Sequence, residues 1–157
     1  MTISAKGGST IFDVLDRVSE YNLDNFSHII LAIGIVDSRY RPSLDKYEVS
    51  LPEFEEGLKQ FESLFLSEKQ NIYLIGLTRV EESKTTPAKK DKFFYNIDVE
   101  LYDQVLKDIA TEYNLTYINV PPLNDQQGLL VDGLHPSDDG YSLMYNAIIK
   151  QLPFLHK

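Results

Sequence analysis

Three nearly continuous apolar runs, at residues 28–33, 71–77 and 115–120, alternate with segments whose apolar residues recur at helical spacing. A short run that is apolar at successive positions reads as a strand covered on both faces. Strands of that kind joined by helices imply a parallel sheet with helices on both sides. The expected fold is therefore α/β, a three-layer, flavodoxin-like parallel sheet. Ser9 or Thr10 can cap a helix whose apolar face is Ile11, Val14, Leu15 and Val18. Ser50-Leu51-Pro52-Glu53 reads as a capping box opening a helix with Phe54, Leu58, Phe61 and Phe65 on one side. Asn96 is expected to cap a helix running through Tyr113. The last helix carries Tyr141, Met144, Tyr145, Ile148, Ile149 and Leu152 on its stripe. Thr2 to Ala5 can add a short strand.

At 157 residues the chain is expected to form one domain with a real core. Its net charge of −9 argues against nucleic acid as a partner, because phosphate binding needs clustered Lys and Arg. Lys84 to Lys92 is the one basic cluster, and it reads as a solvated loop. There is no cysteine, hence no disulfide framework and no thiol nucleophile. The three histidines, at 28, 135 and 156, are too scattered to suggest a metal centre. No apolar run approaches the roughly 18 residues of a membrane span. The N-terminus has no apolar signal core, so a cytoplasmic location is expected.

One stretch combines turn chemistry with titratable groups. Asp132-Gly133-Leu134-His135-Pro136 places a carboxylate and an imidazole three residues apart, just before the last helix. Gly133 permits backbone angles that other residues resist. Pro136 keeps His135 out of helical geometry. A carboxylate that holds one ring nitrogen as donor leaves the other free to accept a proton. The competing reading is an ordinary Asp-Gly turn with a surface histidine. The location favours chemistry, because α/β folds place their sites in the loops beyond their strands.

Asp132-Gly133-Leu134-His135-Pro136 followed by a helix resembles the last sequence block of the SGNH (GDSL-type) hydrolases. The resemblance implies that Asp132 and His135 are the acid and base of a Ser-His-Asp mechanism. Residues 29–37 resemble the third block, a strand ending in Gly-x-Asn-Asp, with Gly34 and Asp37 in the matching places. Lys6-Gly7-Gly8-Ser9-Thr10 resembles the second block, which supplies an oxyanion-hole glycine; Gly8 is the choice, with Gly7 the alternative. The order and spacing of the three blocks fit from residue 6 to the end of the chain, so the resemblance spans nearly all of it.

Two departures bear on activity. No Gly-Asp-Ser occurs anywhere, so the first block and its nucleophilic serine are missing. The third-block Asn is Val36, whose side chain can donate nothing. In the resembled fold the missing first strand pairs beside residues 28–33. Its loss is expected to leave an apolar sheet edge open to self-association, unless an upstream part is lacking, the sheet closes differently or a partner covers the gap. Ser9 and Ser38 are the candidate substitutes for the serine, although a cap and a turn explain them more simply. Asp37, Arg39 and Arg41 follow the first strand, where a substrate group could be held; the alternative is that Asp37 pairs with one of the arginines. The long segment Glu81 to Tyr95 could flank the site.

The leading expectation is an ester hydrolase domain acting on an acyl or acetyl group of a carbohydrate or lipid, without a cofactor. The alternatives are an inactive SGNH-like domain that binds a glycan or small ligand, a fragment of a larger esterase, or an unrelated flavodoxin-like binding domain.

Overall fold

The computed structural model describes residues 2–65, 70–152 and 154. Strands β1 (His28–Leu31), β4 (Asn71–Ile75) and β5 (Thr116–Ile118) form a parallel sheet in the order β1-β4-β5. Strands β2 (Tyr40–Arg41) and β3 (Lys46–Tyr47) form a separate antiparallel ribbon. The helices are α1 (Ile11–Val18), α2 (Leu51–Ser63), α3 (Glu82–Thr85), α4 (Asn96–Glu112) and α5 (Asp138–Lys150).

Helices pack on both faces of the sheet, as the apolar runs require. Leu31, Ile33, Ile72 and Leu74 pack with Ile11 of α1, Phe54, Leu58 and Phe61 of α2, and Tyr102, Leu106 and Ile109 of α4. The opposite face presents Tyr73, Ile75 and Ile118 to Met144 and Ile148 of α5. Helices α1 and α2 approach so closely that a Cβ on Gly57 would lie 2.8 Å from Ile11 Cγ2. Ile11 is fully buried at that contact. Burying one such side chain stabilises the fold by about 1.5–3 kcal/mol.

Local chemistry starts the helices. Thr10 Oγ1 accepts from Asp13 N–H at 3.3 Å, and Asp13 Oδ2 accepts from Thr10 N–H at 2.8 Å. Glu53 Oε2 likewise accepts from the N–H and hydroxyl of Ser50, at 3.0 and 2.6 Å. Two expectations fail here. Tyr95, not Asn96, is the residue before α4; the Asn96 side chain instead exchanges hydrogen bonds with the N–H and C=O of Val80, at 2.8 and 3.0 Å. Thr2 to Ala5 form no strand and lie exposed, because no strand edge within the fold takes them up.

Helix α5 is less buried than its stripe suggests. Tyr141 and Tyr145 are 58% and 63% exposed. β1 is an edge strand. Ile30, opposite Tyr73 in the register and so on the α5 face, is 48% exposed. Helix α5 therefore covers β4 and β5; on the β1 side of that face His28 packs on Phe154 while Ile30 stays half exposed.

Candidate active site at the Asp132–His135 turn

The chain between β5 and α5 doubles back on itself. Leu130 and Pro136 form a β-bridge, Val131 N–H donates to His135 C=O at 2.8 Å, and Ser137 N–H donates to Leu129 C=O at 2.9 Å. Gly133 sits at the tip with φ +84°, the left-handed region that glycine enters without steric penalty. Its carbonyl accepts from Glu81 N–H at 2.8 Å, which pins the tip to the segment beyond β4.

Within this turn Asp132 faces His135. His135 Nδ1 lies 2.9 Å from Asp132 Oδ2 and 3.2 Å from Oδ1. Asp132 Oδ1 also accepts from the N–H groups of His135 and Leu134, at 2.8 and 3.1 Å. The His135 backbone bond leads the forces that hold the Asp132 carboxyl down to about 2, with the imidazole and the Leu134 N–H adding to it. Asp132 is thus ionised and can only accept at neutral pH. Nδ1 then carries the proton, and Nε2 of the neutral ring keeps its lone pair. The His135 and Asp132 side chains are 68% and 54% exposed, so water screens the pair and its stabilising contribution is small. Its consequence is orientation, with Nε2 open to an incoming ligand.

The other sequence-derived site residues are placed as follows. Gly34 lies three residues beyond β1 with φ +120°, and a Cβ there would crowd Leu77 and Phe54 at 3.2 Å. The turn it opens contains Val36 and Asp37. Asp37 is fully buried, and its Oδ1 accepts from Ile11 N–H at 2.8 Å. The expected alternative for Asp37, pairing with an arginine, is therefore not what occurs: it ties the start of α1 to the end of β1. Gly8 lies in the exposed loop leading to that helix. No hydrogen bond connects Gly8 to the Asp132–His135 pair. Leu134 and Ile35, by contrast, rest on one shared cluster of Val80, Phe94 and Val99, which brings the His135 turn beside the Gly34 turn.

Arg41 donates to Asp91 Oδ2 at 2.9 Å and to Glu48 Oε2 at 3.2 Å. Arg39 holds the same Glu48 oxygen at 2.7 Å. Glu48 and Asp91, which the sequence reading did not single out, therefore anchor both arginines. Asp91 lies 50 residues from Arg41 in sequence, a separation that carries no periodic signal. Ser9 Oγ donates to Lys6 C=O at 2.9 Å, and Ser38 Oγ donates to Ile35 C=O at 3.0 Å from a fully buried position. Neither hydroxyl bonds His135. Among the described residues no group of three or more His, Cys, Asp or Glu suits a metal ion. No helix of the described residues is long and apolar enough to cross a membrane.

Burial pushes the Asp37 carboxyl up to about 6, against the lowering pull of the Ile11 N–H. A carboxyl raised on folding adds stability below its unfolded value near 3.8 and loses it as pH rises through about 6. Asp37→Asn removes that ionisation. The stability of Asp37→Asn relative to wild type is expected to rise by about 3 kcal/mol between about pH 4 and about pH 8. Denaturant unfolding at several pH values measures this, and parallel curves for the two proteins would refute it.

The profile of the GDSL-like Lipase/Acylhydrolase family matches residues 2–143. No match is found among curated proteins. Solved structures with the same fold include the lipase/acylhydrolase from Enterococcus faecalis, at TM-score 0.72 and 23% identity, covering 92% of this chain and 71% of that one. A GDSL-like lipase from Bacteroides thetaiotaomicron superposes at TM-score 0.70 and 17% identity, over 92% of this chain and 71% of that one. The acetylxylan esterase from Geobacillus stearothermophilus does so at TM-score 0.68 and 21% identity, over 92% and 68%. The family profile spans most of the sequence, from the loop before α1 into α5, and on that ground this chain belongs to the GDSL-like lipase/acylhydrolase family.

Proposed function

We propose that this chain carries the acid–base half of an ester-hydrolase site, directed at an acyl or acetyl ester of a carbohydrate or lipid. The observation that supports it is the contact between Asp132 Oδ2 and His135 Nδ1 at 2.9 Å, with the far ring nitrogen facing outward. In this reading Asp132 fixes the tautomer, His135 Nε2 takes the proton of an attacking hydroxyl, and the Gly8 N–H lies on the oxyanion side. Gly34 and Asp37 hold the neighbouring turn in shape. Arg41 supports the ribbon beside the site through Asp91 and Glu48. The chemistry needs no cofactor. The acetylxylan esterase fold relative makes an acetylated sugar the first substrate to try.

A second reading is favoured by one specific observation. Ser9 and Ser38 are both committed to backbone carbonyls, and Val36 offers no amide to an oxyanion. Acting alone, the chain then binds an ester or glycan without turning it over. Loss of one oxyanion donor by itself costs about two to three orders of magnitude in rate.

The two readings share a test. An acetylated xylo-oligosaccharide is expected to shift the His135 ring resonances, while the deacetylated sugar leaves them in place. Hydrolysis of p-nitrophenyl acetate is expected to stay near background for both wild type and His135→Ala. Robust turnover abolished by His135→Ala would show that a hydroxyl of this chain serves, and the binding-only reading falls. Robust turnover untouched by that change, or no acetyl-dependent shift at His135, would remove the pair from the proposed chemistry.

A further inference from the structure

A row of aromatic rings runs from the core towards the surface along the ribbon. Its inner end is Phe54 and Tyr102, buried in the main core with centroids 5.2 Å apart. Tyr102 lies 6.3 Å from Tyr47, and Tyr47 lies 5.4 Å from Tyr40. The ribbon explains the order. Tyr40 is the register partner of Tyr47 on one side and of Phe93 on the other. Tyr40 and Phe93 also exchange backbone hydrogen bonds, at 2.9 and 3.1 Å. Directly opposed residues of antiparallel strands point to the same face. Tyr47, Tyr40 and Phe93 therefore share one face of the two-stranded ribbon and the bridge beside it. Tyr95, two residues after Phe93 and so on the same face, stacks on it at 6.1 Å with ring planes 27° apart.

The outer rings are not fully absorbed by packing. Tyr40, Phe93 and Tyr95 are all partly exposed. Their surroundings are polar: Tyr40 donates its hydroxyl to Asp45 Oδ1 at 2.5 Å, and Tyr47 donates to Asp98 Oδ1 at 2.9 Å. Alternation puts Arg39, Arg41 and Glu48 on the other face of the ribbon, where the arginines are paired. The ring face thus combines flat apolar surfaces with hydroxyl and carboxylate acceptors, while the ribbon's arginines lie paired on its other face. That chemistry suits a neutral polyhydroxylated ligand, whose C–H faces lie on rings while its hydroxyls reach oxygen acceptors. Anionic ligands meet carboxylates here, and a lipid tail meets hydroxyl-rimmed rings.

The segment that carries Phe93 and Tyr95 also supports the His135 turn. Glu81 N–H donates to Gly133 C=O at 2.8 Å, Phe94 N–H donates to Thr85 C=O at 3.1 Å, and Leu134 rests on the cluster that contains Phe94.

We propose that Tyr40, Phe93 and Tyr95 form a carbohydrate-stacking subsite that holds a neutral sugar chain on the ring face of the ribbon. The proposal rests on the ester-hydrolase reading for its choice of carbohydrate over lipid. Binding of an unacetylated sugar is measured independently of that reading, so either can fail alone.

The test is titration of the full chain with xylohexaose, followed by amide and aromatic NMR. Saturable shifts are expected at Tyr40, Phe93 and Tyr95. Phe93→Leu and Tyr95→Leu keep apolar bulk but remove the ring, and each is expected to weaken binding roughly five- to tenfold. Far-UV circular dichroism verifies that the variants fold. Absence of saturable shifts, or equal affinity in the leucine variants, would each overturn the subsite.

Discussion

Gly133→Ala is expected to destabilise the fold by about 2–4 kcal/mol, because it adds both backbone strain and a clash. The residue holds φ +84°, and an added Cβ would lie 2.7 Å from Lys84 Cβ and 3.0 Å from Glu81 C=O. The second neighbour is backbone, which cannot rotate away. A left-handed non-glycine residue alone costs about 1–2 kcal/mol. For a chain of this size the expected fall in melting temperature is roughly 5–12 °C. Thermal unfolding by circular dichroism checks it. The same change should break the Glu81–Gly133 hydrogen bond and displace His135 from Asp132. A melting temperature equal to wild type would mean that the tip is not held as described.

We propose, as a second large effect, that the chain self-associates through β1. Among the described residues only one side of β1 is paired, since it lies at the end of the β1-β4-β5 order. Asn71 N–H donates to Ser27 C=O, so Ser27, Ile29 and Leu31 turn their backbone groups towards β4. By alternation His28 and Ile30 turn theirs outward. The strand carries no charged residue to discourage another edge, and Ile30 adds a half-exposed apolar side chain. The net charge of −9 opposes association only modestly, because screening acts over about 8 Å at physiological salt. Light scattering after size exclusion is expected to give a mass at least twice 18.0 kDa, falling to monomer in Ile30→Lys. A monomer of 18.0 kDa across a wide concentration range would contradict it.

What the sequence discloses follows the range of the interactions. The parallel sheet was legible because each apolar run reports burial on both faces, a property of neighbouring residues alone. Capping at Thr10 and Ser50 spans three residues and is read directly. Asp132 and His135 belong to the same class, since one tight turn contains the carboxylate, the glycine and the imidazole. Asn96 shows where local rules stop: its amide is a good cap in isolation, yet Val80 offers both a donor and an acceptor from another segment. Arg39, Arg41 and Asp37 fail to reveal their partners for the same reason. Glu48 faces the arginines only once the ribbon has formed, and Ile11 reaches Asp37 only once α1 lies on the sheet. On α5 the spacing of Tyr141 and Tyr145 marks an apolar stripe, but periodicity does not say whether anything covers it.

The orientation of His135 is most directly tested by its tautomer. Long-range nitrogen–proton NMR on the neutral imidazole distinguishes a proton on Nδ1 from one on Nε2. The Asp132 contact at 2.9 Å predicts a proton on Nδ1, with that preference lost in Asp132→Ala. A neutral ring protonated on Nε2 in the wild-type chain would leave no lone pair on that nitrogen to receive a substrate proton and would contradict the proposed role of the pair.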